Sequence, residues 1–253
     1  MFDERRHDID ALRSIALFLL IFYHLAVSFT SVAKWILFVP NNKPIDNIWS
    51  LLSIFNIWRI PLLFIIAGIA LRFSYQNRGV GKLFKERFKR LGIPYLFGVI
   101  TFVPLYIIIS AQFIYGDMSL DDNIGVLITS IFTGGHLWFL INILIYCLLL
   151  IPIIGFISNK KRGYKFVDSI LKIRGGVLLF SIPIILEGYL LDLTAYKEDI
   201  GYGNSYSEYY GTDHGLLLGF IWFLIGIVLT SQGDTFWEYN IKNINTHSLI
   251  GVP

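Results

Sequence analysis

Apolar residues come in long runs along this chain, and polar residues gather between them. The first run extends from about Ser14 to Ala33, the second from about Ile48 to Leu71, and the third from about Leu91 to Gln112. A fourth opens at Gly134 and ends near Ile157, a fifth and shorter one covers about Val177 to Leu191, and a sixth covers about Gly215 to Thr230. Runs of roughly 20 apolar residues have the length an α-helix needs to cross a bilayer. The pattern predicts an all-α, polytopic transmembrane helix bundle of about six spans. Ile124 to Thr133 is apolar but too short to span, which suggests an interfacial or re-entrant piece. Residues 1–230 read as one membrane domain and 231–253 as a polar C-terminal tail.

Composition agrees with this pattern. The chain is 55% hydrophobic and only 15% charged, with a mean hydropathy of +0.63. A soluble domain of this size would carry more charge. The first run is too long for a signal-peptide core, and no small-residue cleavage site follows it, so it reads as a retained span. Cys147 is the only cysteine and sits in an apolar run, which excludes an intrachain disulfide and a cysteine-based zinc site.

The distribution of charge adds orientation. One basic stretch holds Arg72, Arg78, Lys82, Lys85, Arg87, Lys89 and Arg90; another holds Lys160, Lys161, Arg162, Lys165, Lys172 and Arg174. Together with Arg5, Arg6, Arg13 and Lys242 they fall on one side of the predicted bundle. The other side holds only Lys34, Lys43 and Lys197. Positive residues mark the cytoplasmic side, so a cytoplasmic N-terminus is expected.

Ionisable residues inside the spans are the candidates for chemistry, because they are costly there. Arg13 and His24 belong to the first run, with ten residues between them. On a helix that spacing is about three whole turns, so both side chains fall on nearly one face, about 16 Å apart along the axis. With the first span read as Ser14 to Ala33, His24 lies near the midplane and Arg13 at the inner surface. An imidazole titrates near neutrality and suits general acid–base work. It can equally be satisfied by an interhelical hydrogen bond. Arg59 lies in the second run, just before Pro61, and fits either a substrate-binding role or an ion pair with Glu187. His136 follows Gly134 and Gly135 at the outer mouth, where an interfacial histidine beside Trp138 is the plainer reading.

The loop Arg87-Phe88-Lys89-Arg90 suits a ligand with several phosphates, but also the ordinary attraction of basic loops to anionic lipid. Tyr189, Tyr196, Tyr202, Tyr206, Tyr209 and Tyr210 lie in or beside the outer segment. They could stack on sugar rings, or form an interfacial belt. No P-loop, dinucleotide fingerprint or H-E-x-x-H zinc site is present.

Several pieces together resemble the membrane acyltransferase 3 family. Asp8-Ile9-Asp10-Ala11-Leu12-Arg13 followed by His24 resembles the first-helix signature of an arginine and a histidine separated by ten residues. Pro61-Leu62-Leu63-Phe64-Ile65-Ile66-Ala67-Gly68 resembles the second-helix segment. Phe84 through Arg90, then Pro94, resembles the Arg-x-x-Arg loop that leads into the third helix. Gly135-His136-Leu137-Trp138-Phe139-Leu140 is similar to the fourth-helix motif of the branch that includes periplasmic-glucan succinyltransferases.

The resemblance implies an O-acyltransferase of the bacterial cytoplasmic (inner) membrane. It would move an acetyl or succinyl group from cytoplasmic acyl-CoA to a hydroxyl of an extracytoplasmic glycan. It implies catalytic roles for His24 and Arg13, CoA-phosphate or structural roles for Arg87 and Arg90, and acceptor or oxyanion roles for His136 and Arg59. Membrane lipid, acyl-CoA and a carbohydrate acceptor are the expected partners. No bound cofactor, metal or nucleic acid is expected. Family members usually carry about ten spans, so the resemblance also implies a C-terminally partial chain. A glycan exporter using the same polar path, or a non-catalytic fragment, are the alternative readings.

Overall fold

The computed structural model describes residues 7–36, 38–45, 47–76, 79–117, 119–133, 135–157, 163–173, 175–193 and 213–231. Among them the regular structure is all helix, joined by short turns and links, and no strand occurs. Helix α1 covers His7–Val27. Leu12, Ile15, Leu17, Phe18, Ile21, Phe22 and Leu25 are exposed along it, while Ala16, Tyr23 and Val27 are buried. An apolar exposed face of this kind is suited to lipid contact. The helix ends earlier than its apolar run suggests. The Thr30 backbone N–H and the Thr30 hydroxyl both donate to the Val27 carbonyl, at 2.9 and 2.8 Å, and Phe29 N–H donates to Ala26. These bonds take up the last carbonyls of the helix and turn the chain out of it. A 3₁₀ turn, Ser31–Ile36, follows.

Helix α2, Asn47–Gln76, contains Pro61 and packs along α1. Its most extensive partner is the last described helix, α10, Asp213–Ser231. Small residues allow that approach. A Cβ on Gly68 would overlap the Phe223 carbonyl, and a Cβ on Gly226 would overlap the Ile65 carbonyl. In lipid, backbone proximity of this kind replaces the hydrophobic effect as the force that joins helices. Around the crossing, Phe64, Tyr146, Phe223 and Ile227 form part of the buried core. At the C-terminal ends of the two helices the Arg72 Nε–H donates to the Ser231 hydroxyl at 3.1 Å, in a buried position.

The basic stretch is not a loop. Helix α3, Val80–Arg87, runs through a π-helical turn, Phe88–Gly92, into helix α4, Ile93–Tyr115. Val80 to Tyr115 is thus one continuous helix whose first turns are cationic and whose remainder is apolar. Arg72 likewise belongs to α2, and Arg78 lies outside the described residues. After Asp117 comes helix α5, Leu120–Thr133, which packs against α4. The Ser119 hydroxyl donates to Asp122 Oδ2 at 2.6 Å and accepts the Asp122 N–H at 3.1 Å, a reciprocal start signal for this helix.

The fourth apolar segment opens with a 3₁₀ turn, Gly135–Leu137, and continues as α6, Trp138–Leu150. It is interrupted at 151–153 before the short helix α7, Ile154–Ile157. Helix α8, Gly163–Lys172, carries a Lys172–Asp168 ion pair at 2.5 Å. The fifth segment starts as a 3₁₀ turn, Gly176–Ser181, and becomes α9, Ile182–Leu193. Among the described residues, four helices are long and apolar enough to cross a bilayer: Ile9–Val27, Trp58–Tyr75, Val80–Tyr115 and His214–Ser231. Gly135–Leu150 and Gly176–Tyr189 are shorter apolar helices. Each of the expected apolar runs therefore contains helix. Residues 194–212 and 232–253, with most of the tyrosine-rich segment and the tail, lie outside the described residues.

Candidate functional site

His24 stands in the last turn of α1, one turn before the helix ends at Val27. Its Nδ1–H donates to the Leu20 carbonyl at 2.7 Å. A carbonyl can only accept, so this bond fixes the proton of a neutral ring on Nδ1 and leaves the lone pair on Nε2. The expected depth changes as a result. Because α1 stops at Val27, His24 lies near one end of the span Ile9–Val27 and not at its middle. Arg13 is exposed near the other end.

His136 comes to the same place from the opposite side. Gly135 is buried with φ +49°, and a Cβ there would sit 3.1 Å from the Val103 side chain. Only glycine adopts that conformation freely so close to α4. The turn sets the His136 ring 6.0 Å from the His24 ring, centroid to centroid, at an interplanar angle of 62°. Tyr106 of α4 packs against His136 at 4.4 Å. Two histidines expected at different depths thus share one.

The link between α1 and α2 closes the cluster. Asn41 N–H donates to Ser28, Ile45 N–H to Phe29 and Phe38 N–H to Ala33, at 2.9, 2.7 and 2.9 Å. These bonds fold the link back over the end of α1. Phe38 then stacks on His24 at 5.7 Å and 22° and touches His136 at 4.6 Å.

Arg59 completes the row behind His24. It is 2% exposed, and its guanidinium carbon lies 3.9 Å above the Tyr23 ring. Tyr23 in turn meets His24 edge-on at 5.8 Å. A desolvated cation over an aromatic face is a favourable arrangement. The Arg59–Glu187 ion pair expected as one reading is replaced by another. Glu187, buried on α9, pairs with His214 Nδ1 at the start of α10. The reason is topological: α9 adjoins α10, and Arg59 is taken up by α1.

Arg87 and Arg90 are far from this cluster in the chain and differ from each other. Arg87 Nη2 donates to the Ala70 carbonyl at 2.9 Å and to the Ser74 hydroxyl at 2.5 Å, tying α3 to α2. Arg90 is exposed and pairs with Glu86 at 3.0 Å, one turn earlier. Of the expected site residues, the structure brings together His24, His136 and Arg59; it leaves Arg13 about 16 Å along α1 from His24. Tyr23, Phe38 and Tyr106 were not expected. Tyr23 had one signal, its adjacency to His24; Phe38, in the link between the first two runs, and Tyr106, among many apolar residues, had none. Among the described residues no cluster of metal-ligating side chains occurs. Cys147 is buried, as its sequence setting suggests.

A family model described as an acyltransferase domain matches residues 6–242. No curated protein and no solved structure matches the chain.

Proposed function

The chain belongs to the membrane acyltransferase 3 family, and on that premise we propose that it carries an acetyl or succinyl group from cytoplasmic acyl-CoA to a hydroxyl of an extracytoplasmic glycan. The observation that carries this reading is the His24–His136 pair, with the His24 tautomer set by Leu20. A base must offer a lone pair to the hydroxyl it activates. His24 Nε2 is that atom.

In the proposed reaction the acceptor oxygen attacks the thioester carbonyl while His24 Nε2 takes its proton. The C–S bond then breaks, and the proton passes to the departing CoA thiolate. His136 holds the acceptor or the oxyanion from the far side of the pair. Arg59 fixes Tyr23, and through it the setting of His24. With the N-terminus cytoplasmic, Arg13 lies near the inner surface and the histidines near the outer one. The gap is about 16 Å, of the order of an extended pantetheine arm. Arg13, Arg87 and Arg90 supply positive charge for the CoA phosphates, and Arg87 also anchors the helix that presents Arg90.

The test is label transfer from acetyl-CoA or succinyl-CoA to neutral glucan oligosaccharides by the purified chain in lipid nanodiscs. Transfer that is lost in His24→Ala supports the reading. Transfer that persists in His24→Ala overturns the role of His24. No transfer and no binding of CoA overturns the donor assignment.

A further inference from the structure

A base near the end of a span faces a competitor that any acyltransferase must exclude. His24 Nε2 would activate water as readily as a sugar hydroxyl, and water would turn transfer into hydrolysis. In that side reaction the water oxygen bonds to the thioester carbon and the C–S bond breaks. The proton taken by His24 goes on to the thiolate, leaving a carboxylic acid and free CoA. The flank of the site at His136 is exposed, so the cluster is not sealed by its helices alone.

Phe38 stands where such a cover is needed. It is half-buried and, among the described residues, is the aromatic ring that contacts both imidazoles without belonging to a helix or to the turn that carries His136. Its ring lies beside the His24 ring, with centroids 5.7 Å apart and planes inclined by 22°, and so takes up space next to the imidazole. The link that carries it is pinned to Ser28, Phe29 and Ala33 by backbone bonds that do not involve its side chain. The position of Phe38 is therefore set by local chain geometry, and its ring projects into the site as an apolar surface. Tyr23 and Tyr106, by contrast, are fixed in α1 and α4.

We propose that Phe38 shields His24 from water and so determines whether the bound acyl group is transferred or hydrolysed. This rests on His24 as the base. The residue is a positioning and specificity-determining one and needs no contact with the reacting atoms. An acceptor sugar reaches the pair by displacing or stacking against the ring, which a link can allow without moving a span.

The test compares wild type, Phe38→Ala and Phe38→Leu in lipid nanodiscs, with acetyl-CoA or succinyl-CoA and no acceptor. Thiol release should rise about tenfold in Phe38→Ala, fall back toward wild type in Phe38→Leu, and vanish when His24→Ala is added. A second measurement is independent of turnover: the rate at which diethyl pyrocarbonate modifies His24 relative to His214, read on their peptides. That ratio should rise in Phe38→Ala and be restored by leucine. An unchanged ratio, or equal thiol release in the alanine and leucine variants, overturns the cover. Absence of His24-dependent transfer in the wild type overturns the functional reading instead, while the modification ratio still decides the cover.

Discussion

His24 and His136 belong to helical segments more than a hundred positions apart, yet their rings are 6.0 Å apart and are touched by the same phenyl ring, Phe38. One imidazole has its proton placed by a helix carbonyl; the other is aimed by a glycine turn. The two are expected to differ on substitution. His24→Ala should lower acyl transfer by about 10²- to 10⁴-fold, the range for loss of a general base. His136→Ala should cost less, and chiefly in the KM for the acceptor. Steady-state kinetics of both variants with the same glucan acceptor check this.

Arg59 and Tyr23 should act as a unit. Tyr23→Leu removes the ring beneath a buried guanidinium and should destabilise the protein by about 2 kcal/mol. Tyr23→Phe keeps the ring and should cost clearly less. Thermal unfolding in detergent separates the two, and equal losses would show that the hydroxyl, not the ring, matters.

The α2–α10 crossing depends on two glycines. Gly68→Leu or Gly226→Leu places a side chain where the Phe223 or Ile65 carbonyl lies. Each should cost about 1–3 kcal/mol or more, as overpacking does. Gly81→Leu, where nothing is within 4 Å of the added Cβ, is the matched control and should leave the melting temperature in place. The comparison is a thermal melt of the three variants.

Arg87 of α3 and Arg90 of the π-helical turn after it should separate by role. Arg90→Ala should change stability by less than about 1 kcal/mol, because its pair with Glu86 is exposed. It should nevertheless raise the KM for acyl-CoA, more so at low salt. Arg87→Ala should lower the melting temperature as well, since it releases α3 from Ala70 and Ser74. An Arg90→Ala enzyme with unaltered KM at low ionic strength would remove Arg90 from the donor site.

Glu187 of α9 and His214 of α10 form a polar contact between two helices. Glu187 is 7% exposed, and removing one partner of a buried pair strands the other. Glu187→Ala should destabilise by about 3 kcal/mol, whereas Glu187→Gln, which keeps an acceptor for the imidazole, should cost less. Melting temperatures of the two variants measure the difference.

The sequence by itself determined that this is an all-helical membrane protein, where its apolar segments fall, and that His24 and Arg59 are costly enough to need a reason. Apolar run length and the price of buried charge are local quantities, readable without any contact. It did not determine where α1 stops. The apolar run continues to Ala33, and only the turn bonds to Val27 end the helix, which moves His24 from mid-span to the end of the span. Nor did it determine partners. Glu187 could have met Arg59 on composition and depth, and the packing of α9 beside α10 gave it His214. The part of the basic stretch from Val80 to Arg90 that looked like a loop is helix, and it continues through a π-helical turn into α4. Phe38 shows the limit most plainly. A phenylalanine in the link between two spans carries no charge that singles it out, and only the fold of that link over the end of α1 brings it to the two histidines.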